Sequence, residues 1–390
     1  MASLDKMTSI ADLKKVAKCK VPRMFFQYVD SGSWTQSTYA HNYDDFSPIL
    51  FRQKVLVDMD NRSLATKMVG QDVRMPIAVA PTGFTGMVRA NGEMLAAKAC
   101  ENFGVPYTLS TMSICSIEDV RSATSAPFWF QLYVMRDRGF IEDLINRAKA
   151  AHCGALVLTA DLQIVGQRHC DIKNGLSAPP KPTVANILNL MTKPSWCLGM
   201  AKTKRRSFGN ILGHAKGVDN MDDFFGWVKS QFDPTLSWKD VEWIKNLWGG
   251  KLIIKGILDP EDARLAYEHG ADAVVVSNHG GRQLDFTASS IQMLPSIVEA
   301  VGDKLEVFLD GGIYTGQNAL KAYALGAKGV FIGRPHLWGL GAFGQEGVEK
   351  ALDILYKEMD LSMAFCGKTN ILDVDKEILL PGTYPEAKWK

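Results

Sequence analysis

A chain of 390 residues has room for two ordinary domains or for one large barrel. Hydrophobic residues make up 46% of it and charged residues 22%, as in folded globular proteins, which excludes wholesale disorder, a collagen-like repeat and a coiled coil. The 44 basic and 42 acidic residues give a net charge of +2, which argues against a nucleic-acid-binding protein whose whole surface is basic.

The cysteines and the apolar runs indicate the compartment. Seven cysteines without a C-x-x-C pair argue against a disulfide framework and a zinc site, so we expect reduced thiols, a cytoplasmic location and no metal. Residues 1–25 contain no continuous apolar run, and no later stretch reaches the roughly 18 apolar residues of a membrane span. We therefore expect neither a signal peptide nor a transmembrane helix.

In chain order, residues 1–75 come first, and we expect them to form helices and a cap packed over one end of a barrel that spans 76–370, with a tail at 371–390. Within the barrel, short apolar runs that end in polar residues alternate with helix-compatible segments. Such runs predict strands buried on both faces of a parallel sheet. The eight runs are PIAVA (76–80), PYTLS (106–110), FWFQL (128–132), ALVLTA (155–160), KLIIK (251–255), AVVVSN (273–278), EVFLD (306–310) and GVFIG (329–333).

The segments between these runs carry helix start signals. Ser116 begins a segment with acidic residues in its first turn, Asp259-Pro260 begins a second predicted helix, and Gly316 precedes a third, QNALKAYAL. Eight strands alternating with helices predict an α/β fold, the (β/α)8 TIM barrel. A doubly wound sheet is the alternative interpretation of the same alternation.

The long connection after strand 4 predicts a functional insertion at 175–236, because a few residues would suffice there. Its part from 175 to 217 lacks Asp and Glu but holds seven basic residues, including Lys181 and Lys216. Basic residues interleaved with Trp, Leu and Met indicate contact with the headgroups of an anionic membrane. The alternative is a solvated loop with a few anchoring apolar residues. The apolar side chains are Ile187, Leu188, Leu190, Met191, Trp196, Leu198 and Met200.

The ends of the predicted strands hold the candidate site, since active sites of such barrels lie at the carboxyl ends of the strands. Nearly every run ends in a hydrogen-bonding residue, which favours an enzyme over a structural barrel, although strand ends are often polar. The residues are Pro81-Thr82-Gly83, Ser110, Gln131 with Tyr133, Thr159 with Asp161, Lys255, Asn278-His279, Asp310-Gly311-Gly312 and Gly333-Arg334.

Three of these places indicate specific chemistry. DGGIYTG (310–316) and GRP (333–335) follow strands 7 and 8, the usual phosphate site of such barrels, although Gly-rich turns would look the same. In SNHGGRQLD (277–285), His279 is a candidate general base and Arg282 a fork for a substrate carboxylate. Lys255 would be costly inside a barrel unless it faced an anion.

These motifs together resemble the FMN-dependent enzymes that oxidise 2-hydroxy acids. The resemblance extends over residues 10–370 and is greatest to the bacterial respiratory, quinone-linked L-lactate dehydrogenases. It is carried by SNHGGRQ (277–283), WFQLYV (129–134), LTAD (158–161), IKG (254–256) and GRP, and for the lactate dehydrogenases by LYVMRDRGF (132–140), SWKDVEWI (237–244) and KGILDPEDAR (255–264).

The resemblance implies a role for each matching residue. His279 would be the base and Asp161 its orienting partner, while Tyr28, Tyr133, Arg168 and Arg282 would bind the substrate. The cofactor would be FMN, contacted by Ala80, Pro81, Thr82, Ser110, Gln131, Thr159, Lys255 and Ser277, with its phosphate held by Asp310, Gly311, Gly312, Gly333 and Arg334.

The resemblance also implies the reaction and its partners. We expect oxidation of L-lactate to pyruvate, with electrons passed to a membrane quinone by a peripheral protein, a possible homo-tetramer, on the cytoplasmic side of the inner membrane. His279 would take either the carbon-bound proton or the hydroxyl proton; the residues leave this open. The alternatives are a soluble 2-hydroxy acid oxidase that makes hydrogen peroxide and a barrel that binds a phosphorylated ligand without redox chemistry.

Three positions depart from the family's usual residues. Tyr314 stands where members commonly carry an Arg beside the flavin phosphate, so Arg334 and backbone N–H groups would have to suffice. Met112 stands at a substrate-side position that is aromatic in plant glycolate oxidases and small in lactate dehydrogenases, which leaves the preferred side chain open. Gly83 replaces an Ala found in many oxidases, which favours a dehydrogenase or monooxygenase.

Overall fold

The computed structural model describes residues 3–164, 166–176, 183–215, 218, 231 and 233–388. A hairpin of two antiparallel strands, β1 (Thr66–Met68) and β2 (Gln71–Val73), precedes a sheet of eight parallel strands. The eight strands are β3 (Ile77–Val79), β4 (Thr108–Ser110), β5 (Trp129–Leu132), β6 (Ala155–Thr159), β7 (Lys251–Ile257), β8 (Ala273–Val276), β9 (Glu306–Asp310) and β10 (Gly329–Ile332).

The sheet closes into a barrel. Neighbouring strands follow the chain from β4 to β10, β10 pairs with β3, and a parallel bridge between Val79 and Tyr107 joins β3 back to the start of β4. All eight predicted runs are therefore strands, and the (β/α)8 barrel is confirmed, because a doubly wound sheet would have two open edges.

Sixteen α-helices surround the barrel in the part of the chain that the structure describes. They are α1 (Ile10–Lys20), α2 (Arg23–Val29), α3 (Ser37–Asp44), α4 (Thr85–Val88), α5 (Gly92–Phe103), α6 (Ile117–Ala123), α7 (Arg138–Ala150), α8 (His169–Lys173), α9 (Val184–Met191), α10 (Pro194–Lys202), α11 (Trp238–Trp248), α12 (Pro260–Glu268), α13 (Ser290–Val301), α14 (Gly316–Ala324), α15 (Arg334–Phe343) and α16 (Gln345–Phe365).

The predicted helix starts are confirmed by their caps. The Ser116 and Asp119 side chains form a capping box at the start of α6, and the Asp259 side chain accepts a hydrogen bond from the Glu261 backbone N–H. Because all the barrel strands are parallel, their carboxyl ends lie at one face of the barrel. None of the described helices is long and apolar enough to cross a bilayer.

The N-terminal segment covers both ends of the barrel, whereas we expected it to cover one. Met68 and Val73 of the hairpin pack against the barrel interior at its amino-terminal end, where the Trp129 indole donates a hydrogen bond of 3.0 Å to Gln71. The stretch from α2 to α3 lies at the opposite end, where the Ser33 N–H donates to the Gly281 carbonyl at 2.9 Å. This stretch therefore contributes directly to the strand-end face.

The insertion is docked on the rest of the protein at several points. The Trp196 indole donates to the Met87 carbonyl at 2.8 Å, and the Arg23 N–H donates to the Asn189 side chain at 2.7 Å. Lys181 and Lys216, and residues 177–182, 216–217, 219–230 and 232, lie outside the described residues. The segment from 371 is also packed, since Ile371, Ile378 and Leu379 are buried.

Candidate active site

A cavity of about 870 Å³ opens at the carboxyl ends of the barrel strands. Most of the predicted site residues line it: Tyr28, Ala80, Pro81, Thr82, Tyr133, Arg168, Lys255, His279, Arg282, Asp310, Gly311, Gly312, Gly333 and Arg334. The other five connect to lining residues: Asp161 contacts His279, Ser277 contacts Lys255, Thr159 pairs with Lys255 in the sheet, and Ser110 contacts both Met112 and Gln131.

His279 and Asp161 form a pair. His279 Nδ1 lies 2.9 Å from Asp161 Oδ1, and neither Asp161 nor His279 is more than about a fifth exposed. Burial alone would raise the pKa of Asp161, but the charge and hydrogen bond of His279 and the charge of Lys255 together lower it. An ionised Asp161 accepts the Nδ1 proton, which leaves Nε2 of the neutral ring as the basic nitrogen.

Lys255 is buried at the end of β7 and is held by two oxygens. Its ammonium lies 2.8 Å from Asp310 Oδ2 and donates to Ser277 Oγ at 2.9 Å. Burial disfavours the charged amine, but Asp310 and Asp161 outweigh this effect and raise the pKa of Lys255. Lys255 is therefore a cation at neutral pH, and its third N–H is available to a ligand in the cavity.

Two arginines and a tyrosine form a cationic end of the cavity. The guanidinium of Arg282 lies 4.5 Å from the centre of the Tyr28 ring, and that of Arg168 lies 5.9 Å from it. Arg168 pairs with Asp171 at 2.6 Å, whereas Arg282 donates to the carbonyls of Tyr28 and Ser31. Burial, and then repulsion by Arg168 and Arg334, lower the pKa of Arg282 to about 10. An anion bound here would relieve that repulsion.

The ends of β4, β5 and β6 present polar groups that lack protein partners. The Gln131 carbonyl oxygen accepts from the Ser110 hydroxyl at 3.1 Å, so its amide nitrogen is oriented away from Ser110. That nitrogen and the Thr159 hydroxyl are buried without a hydrogen-bond partner among the described residues, as is Asp310 Oδ1. Buried polar groups are rarely left unpaired, so these atoms indicate a ligand.

The glycines after β9 allow the backbone of the N-terminal segment to pack closely against this turn. A Cβ on Gly312 (φ +76°) would lie 1.7 Å from the Asn42 carbonyl oxygen, so this position admits only glycine beside the N-terminal segment. At Gly333, by contrast, a Cβ would meet open space, and the ten-residue helix α15 begins there. The N-terminus of α15 therefore presents free N–H groups to the cavity.

Arg334 is more constrained than the sequence indicates. Its Nε and Nη2 donate to the carbonyls of Val29, Ser31 and Gly280 at 2.9 to 3.1 Å, so two of its three nitrogens are engaged within the protein. Nη1 has no hydrogen bond to any described residue and is the donor left for a ligand. Tyr314, the departure noted above, also lines the cavity and packs against Tyr43 and Trp338 with ring centres 5.3 Å apart.

Other residues of SNHGGRQLD hold the N-terminal segment against the site through hydrogen bonds and close backbone packing. The side chains of Asn278 and Asn42 donate to each other at 2.7 and 2.8 Å, and a Cβ on Gly281 would lie 2.5 Å from the Tyr39 backbone. Asp285 accepts from the Thr35 hydroxyl at 2.6 Å and from the Thr38 N–H at 2.9 Å. One motif thus supplies His279 and Arg282 and also fixes the segment that carries Tyr28.

Several lining residues were not predicted from the sequence. Phe84 and Phe208 form an apolar wall, and Arg136, Leu162 and Gln163 stand on other sides of the cavity. The turn signal at Pro81-Thr82-Gly83 points to the neighbourhood of Phe84, but Phe208 lies in the insertion, far from any strand end in the sequence. Nothing in the local sequence around Phe208 separates it from the other apolar residues of that segment.

The unpaired groups suit FMN. The flavin ring carries carbonyl oxygens and ring nitrogens along one edge, which match donors such as Gln131 Nε2, the Thr159 hydroxyl and Lys255. A phosphate matches the N-terminus of α15 and Arg334 Nη1. The residues present therefore fit the cofactor, even though Tyr314 supplies no charge.

Comparison with known proteins agrees with this arrangement. The family model described as FMN-dependent dehydrogenase matches residues 17–381. An L-lactate dehydrogenase of Pseudomonas syringae pv. syringae is 45% identical over 96% of this chain and 98% of its own, and one of Caulobacter vibrioides is 43% identical over 96% and 97%. The crystal structure of a monotopic membrane protein, (S)-mandelate dehydrogenase, superposes with a TM-score of 0.92 at 32% identity, covering 96% of this chain and 99% of that one. The chain therefore belongs to the FMN-dependent dehydrogenase family and is an oxidoreductase whose cofactor is FMN.

Proposed function

We propose that the protein oxidises L-lactate to pyruvate and passes the electrons to a quinone in the membrane. The observation that supports this most is the juxtaposition, in one cavity, of the His279–Asp161 pair with the cationic end formed by Arg282 and Arg168. A 2-hydroxy acid carries a carboxylate next to the carbon that is oxidised, so an anion site beside a base is what its oxidation requires. L-lactate dehydrogenases among the relatives favour lactate within this class.

The substrate carboxylate binds to Arg282, Arg168 and Tyr28 in this proposal. Charge-assisted hydrogen bonds from a guanidinium fix a carboxylate in one orientation, which places the 2-hydroxyl group and its carbon next to the base. The Tyr133 hydroxyl lines the same cavity, and burial, together with the charge of Asp161, raises the pKa of Tyr133, so it remains a neutral donor.

His279 takes one proton from the substrate through Nε2. Asp161 then stabilises the imidazolium, because its ionised carboxylate accepts a hydrogen bond from Nδ1–H without taking the proton. Bound FMN supplies an acceptor for the two electrons that leave the substrate. Lys255, cationic, buried and paired with Thr159 in the sheet, stabilises negative charge at the cofactor edge of the cavity.

Helix α9 supports the membrane part of the proposal. Val184, Ile187, Leu188 and Met191 follow the i, i+3, i+4, i+7 spacing of one helical face, and each is more than half exposed. Lys202, Lys204 and Arg206, further along the same insertion, are exposed, whereas Arg205 pairs with Asp119 at 2.6 Å. An apolar face flanked by cations suits the interface of an anionic bilayer, where a hydrophobic quinone resides. Docking on the cytoplasmic face of the inner membrane follows from this proposal, and a homo-tetramer stays a prediction.

A comparison of electron acceptors tests the proposal. Purified protein is given L-lactate together with a soluble quinone analogue or with oxygen alone, and pyruvate and hydrogen peroxide are measured. We expect pyruvate formation that depends on the quinone and little peroxide. Stoichiometric peroxide without a quinone requirement would identify a soluble oxidase instead, and the absence of any oxidised product would contradict the substrate.

A further inference from the structure

The insertion reaches the cavity as well as the surface. Phe208, which lies in the insertion, is buried and lines the cavity together with Phe84 and Met112. The rings of Phe208 and Phe84 meet edge to face with centres 4.9 Å apart, and the ring of Phe84 meets that of Tyr28 at 5.2 Å. Three aromatic rings therefore run in contact from the cationic end of the cavity to an apolar wall.

The row of rings gives the cavity one cationic end and one apolar end. Arg282 lies on the Tyr28 ring at one end of the row, and Phe84 and Phe208 form the other. A 2-hydroxy acid carries its carboxylate and its side chain on the same carbon, so a carboxylate on Arg282 leaves the side chain to lie along Tyr28 toward Phe84. We propose that Phe208 is the wall of the side-chain pocket and restricts the enzyme to small 2-hydroxy acids.

Phe208 is held too firmly to move aside. The Asn210 side chain accepts from the Ile117 N–H at 2.9 Å and donates to the Ser113 hydroxyl at 2.9 Å and the Ser110 carbonyl at 3.3 Å. A Cβ on Gly209 would lie 2.8 Å from the Ile114 carbonyl oxygen, so the backbone there is in direct contact with the loop after β4. Asn210 is a positioning residue that fixes this segment against the strand end carrying Ser110.

Phe84, the other ring of this wall, is also fixed. Phe84 adopts a left-handed backbone conformation (φ +60°), and its N–H donates to the Met112 carbonyl at 3.1 Å. A strained residue of this kind persists only where the surrounding structure holds it in place. Because both rings of the wall are held in place, shortening Phe208 creates room that a longer substrate can use.

The test compares substrates of different size and rests on the proposed oxidation of 2-hydroxy acids. We measure kcat/KM with a soluble dye for L-lactate and (S)-mandelate in the wild type, in F208A and in the gentler F208L, which keeps the test valid if F208A does not fold. We expect the mandelate-to-lactate ratio to rise by about tenfold or more in F208A and by less in F208L, as for a change of pocket volume by several carbon atoms.

A matched control removes an aromatic ring elsewhere. Phe103 packs edge to face on Tyr356, with ring centres 6.1 Å apart, and does not line the cavity. F103A should therefore leave the mandelate-to-lactate ratio of kcat/KM unchanged. A second measurement follows the flavin absorbance on titration with pyruvate and with benzoylformate, and F208A should tighten binding of benzoylformate relative to pyruvate. An unchanged ratio and unchanged relative binding in both Phe208 variants would overturn the inference. If instead the wild type oxidises neither acid, the proposed function fails, and the titration still decides the role of Phe208.

Discussion

His279 adopts a backbone conformation that few non-glycine residues adopt. Its φ is +58°, and its N–H donates to Ser277 Oγ at 3.1 Å, the hydroxyl that also accepts from Lys255. Strain of this kind is retained at functional sites because the surroundings hold it. The conformation brings the imidazole onto Asp161, so the backbone and the pair determine the position of the base together.

Substitution of the pair tests its role. H279Q keeps a side chain of similar reach but has no basic nitrogen, so we expect kcat to fall by about 100- to 10,000-fold, the usual contribution of a general base. D161N should lower kcat as well, since the amide no longer stabilises the imidazolium. Steady-state kinetics with a soluble dye measures both effects, and the visible spectrum verifies that FMN is still bound. Activity near wild type in H279Q would remove His279 as the base.

The lowered pKa of Asp161 also fixes the sign of a pH effect. Its pKa lies below the ordinary 3.8, so Asp161 stabilises the folded protein at pH values above that and loses this contribution as the pH falls through its folded pKa. We expect the stability advantage of the wild type over D161N to shrink as the pH falls below about 4, because a protonated Asp161 no longer pairs with its cationic neighbours. Acid titration of both proteins, followed by circular dichroism, measures this effect, and an advantage that does not shrink below pH 4 would contradict an ionised Asp161.

Arg282 offers a second test at the residue scale. R282K keeps the charge but loses the fork, so we expect kcat/KM to fall by about 10- to 100-fold, as for the loss of one charge-assisted hydrogen bond. Binding of oxalate, a substrate-like dianion, should weaken in parallel when it is followed by the flavin absorbance. Unchanged oxalate binding would exclude Arg282 from the carboxylate site.

The positions of site residues could be predicted where the residue lies at or near the end of a strand. His279, Lys255 and Asp310 all lie at the ends of apolar runs, and the barrel brings them together in one cavity. Arg334 also ends a strand, yet its partners are carbonyls of residues 29 and 31, and nothing near Arg334 in the sequence indicates them. Phe208 escaped prediction for the same reason, because its contacts are made across the fold.

At the scale of elements, the insertion combines two surfaces. One surface carries Phe208 to the cavity and is fixed there by Asn210, and the other exposes the apolar face of α9. Deleting the whole insertion would therefore damage the site along with any membrane contact. Point substitutions on α9 can change the membrane contact without changing the cavity.

The role of the apolar face of α9 in membrane binding can be tested by making that face polar. In I187S/M191S we expect the partition coefficient onto vesicles containing phosphatidylglycerol to fall about tenfold or more, because two largely exposed apolar side chains can no longer enter the bilayer. Turnover with a soluble dye should be unaffected. L361S/F365S is a matched control, since these residues of α16 are also more than half exposed but lie on another element. Equal loss in both variants, or none in either, would contradict docking through α9.

For the molecule as a whole, the cofactor and the fold depend on each other. Gln131 Nε2, the Thr159 hydroxyl and Asp310 Oδ1 are buried without partners among the described residues, so bound FMN should stabilise the folded state. FMN at 100 times its Kd should add about 2.7 kcal/mol to the free energy of unfolding, and the melting temperature should rise with FMN concentration. Differential scanning fluorimetry of the stripped and reconstituted protein measures this, and Q131L should reduce the gain. A melting temperature that does not change with FMN concentration would contradict the assignment of these three groups to the FMN site.

The barrel itself was predictable because it depends on local patterns. Each strand is a short apolar run between turn residues, and the sequence alone predicted all eight. The N-terminal segment was harder, since Gly281, Gly312 and Arg334 fix it over the strand ends through contacts more than 200 residues away in sequence.

The anaerobic reaction with L-lactate tests the central claim most directly. The purified protein is freed of oxygen, mixed rapidly with L-lactate or D-lactate, and its flavin absorbance is followed with time. We predict rapid bleaching by L-lactate, little by D-lactate, and almost none in H279Q despite bound FMN. A flavin that stays oxidised with L-lactate, or that H279Q reduces as fast as the wild type, would contradict the account.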